Sequence, residues 1–204
     1  MLSLLKYLSV GLFFLCAFLN AKSTRAGVFN TPHFVEPGKN AVGVEPEYTL
    51  TNGGGLAANL RYQHGISDLT NATFIVGGGS GVRQFRIGFN LAFDFYPDDE
   101  SQPGIGFAVQ PVYYRYKGNF GQLDLNIIPY MHKTFYNQEG DSVEPFVALP
   151  WGFEFRERVY DFAATLALGA HFKKKGSQVV FVTEVGAKLK ASETYVSGGI
   201  ILYP

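Results

Sequence analysis

Val82-Arg83-Gln84-Phe85-Arg86-Ile87-Gly88-Phe89-Asn90-Leu91-Ala92-Phe93-Asp94-Phe95-Tyr96 decides the fold class. Its odd positions from 85 to 95 read Phe, Ile, Phe, Leu, Phe, Phe. Its even positions from 84 to 94 read Gln, Arg, Gly, Asn, Ala, Asp. Successive side chains of a strand point to opposite faces, so one face is a ladder of large apolar groups and the other is small, polar or charged. A helix would scatter the same phenylalanines around its circumference.

The pattern recurs. Tyr160, Phe162, Ala164, Leu166, Leu168, Ala170 and Phe172 alternate with Asp161, Ala163, Thr165, Ala167, Gly169, His171 and Lys173. Ala41–Leu50 sets Val42, Val44, Pro46, Tyr48 and Leu50 against Gly43, Glu45, Glu47 and Thr49. Leu56–Gln63 alternates likewise, with Asn59 and Arg61 on its polar side. Six further segments complete the set: Thr70–Gly78, Ile105–Tyr116, Gly121–Phe135, Val143–Phe155, Gln178–Lys190 and Thr194–Tyr203. Ile128 and Tyr130 blur the sixth strand, and Ile200-Ile201-Leu202 leave the facing of the last one open.

Turn-forming clusters separate these segments, among them Thr51–Gly55, Gly77–Gly81, Pro97–Glu100, Lys117–Asn119, Asn137–Asp141 and Lys174–Ser177. Such short links favour neighbouring antiparallel strands over helical crossovers. About ten strands are expected, with 8 to 12 allowed by uncertain boundaries.

Two features separate this pattern from a soluble sandwich. The polar face carries Gly, Ala, Asn and Gln with isolated charges, whereas charged residues make up only 17% of the chain and aromatics 16%. Several strands also reach the ~10 residues needed to cross hydrocarbon with tilt. In lipid, a sheet must close on itself, because open edges leave unpaired backbone groups. The expected fold is therefore all-β: a closed, antiparallel, up-and-down transmembrane β-barrel, apolar outside and polar inside.

Tyr7–Leu19 is a mostly apolar run of 13 residues behind Lys6. A spanning helix needs about 20. Small-residue sites end at Ala21 and Ala26, the layout of a cleaved signal peptide over residues 1–26. Residues 27–39, with Pro32 and Pro37, read as a lead-in outside the barrel or folded against its entrance, and 40–204 as the barrel. Cys16, the sole cysteine, lies inside the signal run and is expected to leave with it. Cleavage after Ala26 removes Lys6, Lys22 and Arg25 and no acid, leaving 14 basic residues against 17 acidic. That balance gives no basic face for nucleic acid.

Tyr62-Gln63-His64-Gly65-Ile66-Ser67-Asp68-Leu69-Thr70 resembles the tyrosine, glycine, leucine-or-isoleucine, serine-or-threonine, aspartate turn of small Gram-negative outer-membrane β-barrels. The resemblance implies an outer-membrane location and a turn joining two strands on the periplasmic side. Its implied partners are outer-membrane lipid and the barrel insertion machinery. Gly65 would permit the bend, while Ser67 and Asp68 would bond to nearby backbone N–H groups. Such barrels commonly end in an aromatic residue; here Tyr203 is penultimate and Pro204 last. An even strand number would put both chain ends and the Lys173–Lys175 cluster at the periplasm, with the 51–55 turn outside.

The expected lumen-facing set is Glu45, Glu47, Arg61, Arg86, Asp94, Asp124, His132, Glu154, Asp161, His171, Glu184, Lys188 and Lys190. Both signs are present, so mutual pairing is expected, because unpaired buried charge is costly. About 8 strands enclose a lumen filled by side chains, and open porins use about 16. The expected role is thus structural, or a narrow channel. One alternative is a barrel enzyme acting on lipid or peptide, drawing on His132, His171, Ser197 and Asp161, although no spacing links them. Another is a secreted, soluble, ligand-binding barrel. Gly77–Gly81 lacks the lysine and following helix of a phosphate loop, and no His or Cys spacing suggests a metal. No cofactor is implied.

Overall fold

The computed structural model describes residues 34–51, 54–81, 83–99, 101–156 and 159–204. The expected signal segment 1–26 with Cys16, the expected lead-in residues 27–33, and Asn52, Gly53, Val82 and Glu100 of the expected strands and turns lie outside the described residues.

Twelve strand segments occur among the described residues: β1 (Asn40–Thr49), β2 (Gly55–Ser67), β3 (Thr70–Gly79), β4 (Arg83–Tyr96), β5 (Gly104–Tyr116), β6 (Gly121–His132), β7 (Phe135–Tyr136), β8 (Ser142–Ala148), β9 (Trp151–Arg156), β10 (Val159–Lys173), β11 (Val179–Lys190) and β12 (Tyr195–Leu202). β8 and β9 each pair with β6 on one side and β10 on the other, so they form one barrel strand interrupted at Leu149-Pro150. β7 is a two-residue spur on β8. β12 pairs antiparallel with β1, Val42 opposite Leu202 and Thr49 opposite Tyr195. The result is a closed, antiparallel, ten-stranded, up-and-down barrel.

Closure removes the sheet edges and leaves two faces. Along β1 the side chains alternate strictly between exposed and buried, and β6 does the same over the eleven residues from Gln122 to His132. Phe85, Phe89 and Phe95 are exposed, whereas Arg86, Asn90 and Asp94 are buried. In β12 the ambiguity resolves: Ile201 is fully buried, while Ile200 and Leu202 are exposed. The outer surface is therefore leucine, isoleucine, valine and phenylalanine, far beyond the few hundred Å² of apolar patch a soluble monomer shows. Tyr48, Phe153 and Tyr160 lie toward one rim. Tyr62, Tyr96, Phe135, Tyr136 and Phe172 lie toward the other, forming the aromatic girdles of a membrane barrel.

Asn40 and Leu202 mark the same end, here the proximal mouth, with the described link residues 68–69, 97–99, 101–103, 133–141 and 174–178. Among the described residues the distal mouth holds 50–51, 54, 80–81, 117–120 and 191–194.

Irregularities in the ladder correct three expectations. A bulge between Arg83 and Phe85 makes Arg83 the partner of buried Tyr116, so Arg83 faces inward and Gln84 is exposed. A register shift at Ala164/Thr165 pairs Thr165 with Lys188 but Ala164 with Lys190. That shift turns Lys190 to the outer face, with its Nζ 5.5 Å from the ring centroid of Phe162. Asp161 stands opposite Glu154 on the inner face but at the distal rim, and it is exposed.

Sidedness yields a test. Phe89 lies mid-strand on the outer face. Phe89→Arg should cost about 2–4 kcal/mol in lipid-vesicle unfolding titrations relative to Phe89→Ala. In a water-exposed sheet the same exchange would be near neutral.

Candidate functional site

Three layers fill the lumen. The distal layer is ionic. Arg86 Nη2 meets Glu47 Oε2 at 2.5 Å, and Arg83 Nη2 reaches Glu47 Oε1 at 3.1 Å and Glu193 Oε2 at 3.0 Å. Arg83 also donates to Thr49 Oγ1 at 3.1 Å, and its guanidinium lies 5.5 Å from the ring centroid of Tyr114. Arg61 Nε sits 3.2 Å from Glu45 Oε1. Tyr195 donates its hydroxyl to Glu184. Gln122 Nε2 donates to both Asp124 and Glu154, at 2.7 Å each. Strands β1, β4 and the 191–194 link meet through Arg83, so the pairing crosses the lumen as well as running along its wall.

The middle layer is apolar. Ala92, Ala108, Ile128, Tyr130, Ala148 and Ala167 form one buried cluster, against which Phe34 packs. Val35, Ala41, Val180, Val182 and Ile201 form a second cluster nearer the proximal mouth, joined by Tyr203. The blurred positions Ile128 and Tyr130 thus mark an apolar girdle inside a polar lumen.

The proximal layer holds the two histidines. His132 Nε2 lies 3.2 Å from Asp94 Oδ2, and its Nδ1 lies 2.7 Å from Glu144 Oε1. Glu144 Oε2 is 3.1 Å from His171 Nδ1. Phe34 stacks over His132 with centroids 6.2 Å apart. Ser197 is remote in register: it stands opposite Glu47 and Glu184 toward the distal mouth, as does the rim residue Asp161. The structure therefore joins the histidines to carboxylates and leaves the expected serine and Asp161 at the other end.

Of the sequence-derived set, Glu45, Glu47, Arg61, Arg86, Asp94, Asp124, His132, Glu154, His171 and Glu184 are buried. Lys188 is half-buried, while Asp161 and Lys190 are exposed as described above. The sequence reading missed Arg83, Glu144 and Glu193. Arg83 is hidden by the bulge, which has no signature in the alternation. Glu144 alternates correctly within Val143–Phe155 and was legible. Glu193 belongs to a link rather than a strand, so no periodicity points to it. Among the described residues no group of three or more His, Cys, Asp or Glu is arranged to hold a metal ion.

Wall glycines make room for these side chains. A Cβ on Gly186 would lie 1.8 Å from the Tyr195 ring, and one on Gly169 would lie 2.3 Å from Phe146. Outside the strands, Asp98 accepts hydrogen bonds from Lys133 Nζ at 2.9 Å and Thr134 N at 2.6 Å. Partial burial alone would raise this carboxyl. The bonds from Lys133 and Thr134 outweigh it and hold Asp98 below its usual range.

An apolar, aromatic-girdled exterior around a closed polar lumen defines the class: this is a transmembrane β-barrel. No family model matches the chain, and no curated protein matches it by sequence. Among solved structures it is similar to an outer membrane channel from Pseudomonas putida F1, with a TM-score of 0.52 and 8% identity over 86% of this chain and 99% of that one. A de novo designed transmembrane β-barrel is similar over 84% of this chain and 100% of that one, with a TM-score of 0.41 and 14% identity. A bacterial polysaccharide outer membrane secretin shows a TM-score of 0.47 and 9% identity over 81% of this chain and 65% of that one. At such identities the likeness is one of fold.

Two outcomes test this account of the lumen. Glu47→Gln leaves Arg83 and Arg86 facing a neutral group and should cost about 3–5 kcal/mol in urea unfolding. Asp161→Asn and Lys190→Gln should each stay within about 0.5 kcal/mol. The depressed Asp98 stabilises the folded state above the unfolded carboxylate range, near pH ~3.9, and this contribution disappears as pH falls through the lower folded value. Unfolding midpoints of Asp98→Asn should therefore vary less with pH on the acid side than those of the unsubstituted protein.

Proposed function

We propose that the chain is an exported outer-membrane barrel whose lumen is held shut at rest by its own side chains, a structural barrel or narrow channel rather than an open pore. The observation that carries this reading is the cross-lumen bridge in which Arg83 joins Glu47 of β1 to Glu193 of a distal link, beside Arg86. Hydrated ions would have to pass through charges already satisfying one another, inside a barrel of ten strands, close to the size that side chains fill.

Several observations support the location. The outer face is apolar around the whole circumference, and the aromatic rings cluster toward both rims. The 1–26 segment has the layout of an export signal. In this orientation the proximal mouth faces the periplasm, and outer-membrane lipid and the barrel insertion machinery are the partners. The similar Pseudomonas putida structure is an outer membrane channel, which favours conduction once the lumen rearranges. A non-enzymatic role is favoured because Ser197 and the two histidines belong to opposite ends of the lumen.

Purified protein in planar bilayers tests the closed state. Folding is verified by a gel mobility that changes on boiling. Folded barrels should carry no steady ionic current. Steady current at rest from the unsubstituted protein would contradict the reading.

A further inference from the structure

We propose that residues 34–39 are a retractable stopper, and that Phe34 and Val35 close the lumen where each packs into an apolar cluster of the wall. The inference rests on the barrel being shut at rest and adds a dry barrier in series with the distal arginine–carboxylate bridge, whose charges part for hydrated ions once that barrier opens.

The segment does not belong to the wall. It enters the proximal mouth ahead of β1 and makes a single isolated bridge, Pro37 with Gly65. Its anchors are few. Val35 N donates to Asn71 Oδ1 at 3.1 Å, Gly38 N donates to Gly65 O at 2.8 Å, and Gly65 N donates to Lys39 O at 3.1 Å. Gly65 serves this approach: a Cβ there would lie 2.2 Å from Glu36 O and 2.3 Å from Val35 O. Asn71 is thus buried as a latch for the segment.

What Phe34 packs against is chemically distinct from the polar layers beside it. Polar layers lie on both sides of it, with Gln110, Asn126 and the arginine–carboxylate pairs distally and Asp94, His132, Glu144 and His171 proximally. Between them Ala92, Ala108, Ala148 and Ala167 lie with Ile128 and Tyr130, and Phe34 packs against this cluster. Val35 is 2% exposed and packs among Ala41, Val180, Val182 and Ile201. An apolar constriction excludes ions by dewetting, while polar layers accept water. Withdrawing two side chains on a six-residue arm would therefore remove the dry barrier without breaking the barrel ladder. A vestibule of about 290 Å³ at this mouth is lined by Phe34, Glu36, Lys39, Lys173 and Tyr203, and it gives the arm room to move.

The test compares bilayer currents from the unsubstituted protein, a Phe34→Gly/Val35→Gly variant and Asn71→Ala, each with barrel folding verified by heat-shifted gel mobility. Silence from the unsubstituted protein, steady current from the double variant and intermittent openings from Asn71→Ala are expected. Folded double-variant barrels as silent as the unsubstituted protein would overturn the stopper while leaving the closed-barrel reading intact. Steady current from the unsubstituted protein would instead defeat that reading. A second measurement keeps the native bulk of the plug: Val35→Cys with Cys16→Ser, exposed to a membrane-impermeant maleimide. Labelling of the folded barrel, followed by persistent current because the adduct cannot re-enter, is expected. Refusal of the label would overturn retraction.

Discussion

Hydrocarbon offers no hydrogen bonds, so every strand in it must find two neighbours, and a sheet can meet that demand only by closing. The β1–β12 ladder performs this closure, and the rest of the structure follows from it. Once the sheet is a cylinder, each strand has an inside and an outside, and its alternation must be inverted relative to a soluble domain. Phenylalanine, leucine and valine face acyl chains, while arginine and glutamate are enclosed.

Enclosure sets the second problem. Polar groups in a narrow lumen lose bulk water and must satisfy one another. The distal layer does so with arginine–carboxylate pairs, and the proximal layer with two histidines held by Asp94 and Glu144. Space is divided with equal economy. Glycines at 169 and 186 accept the rings of Phe146 and Tyr195, and alanines in the middle layer accept Phe34. A closed barrel with a chain segment seated inside it differs from one filled by its wall alone, because part of its filling has its own route out.

Much of this was legible in the sequence because period-two alternation reports sidedness directly. Val82–Tyr96 alone separates Phe89 from Asn90, and ten alternating segments correspond to the ten strands. The limits have physical causes. Alternation cannot register a bulge, so Arg83, which joins Glu47 to Glu193, was missed, and Lys190 was placed inside although the register shift turns it onto Phe162. Depth along a strand is also invisible, so Asp161 was grouped with buried acids it joins only at the rim. The break at Leu149-Pro150 follows from proline lacking an N–H to give the ladder, yet the neighbouring pairings still read as one strand. Gly65 was read as a turn glycine, whereas its missing Cβ admits the backbone of residues 35 and 36. Non-local packing of that kind leaves no local pattern.

The central claim is that the phenylalanine face of β4 meets lipid while its partner face is enclosed. Nitroxide labels placed one at a time on positions 85 to 95 of the protein in bilayers read this directly through collisions with oxygen and with a water-soluble paramagnetic complex. The account predicts a period of two, with positions 85, 87, 89, 91, 93 and 95 accessible to lipid-dissolved oxygen and the intervening positions shielded. Odd positions shielded from oxygen, with Arg86, Asn90 and Asp94 sites open to the aqueous reagent, would contradict it.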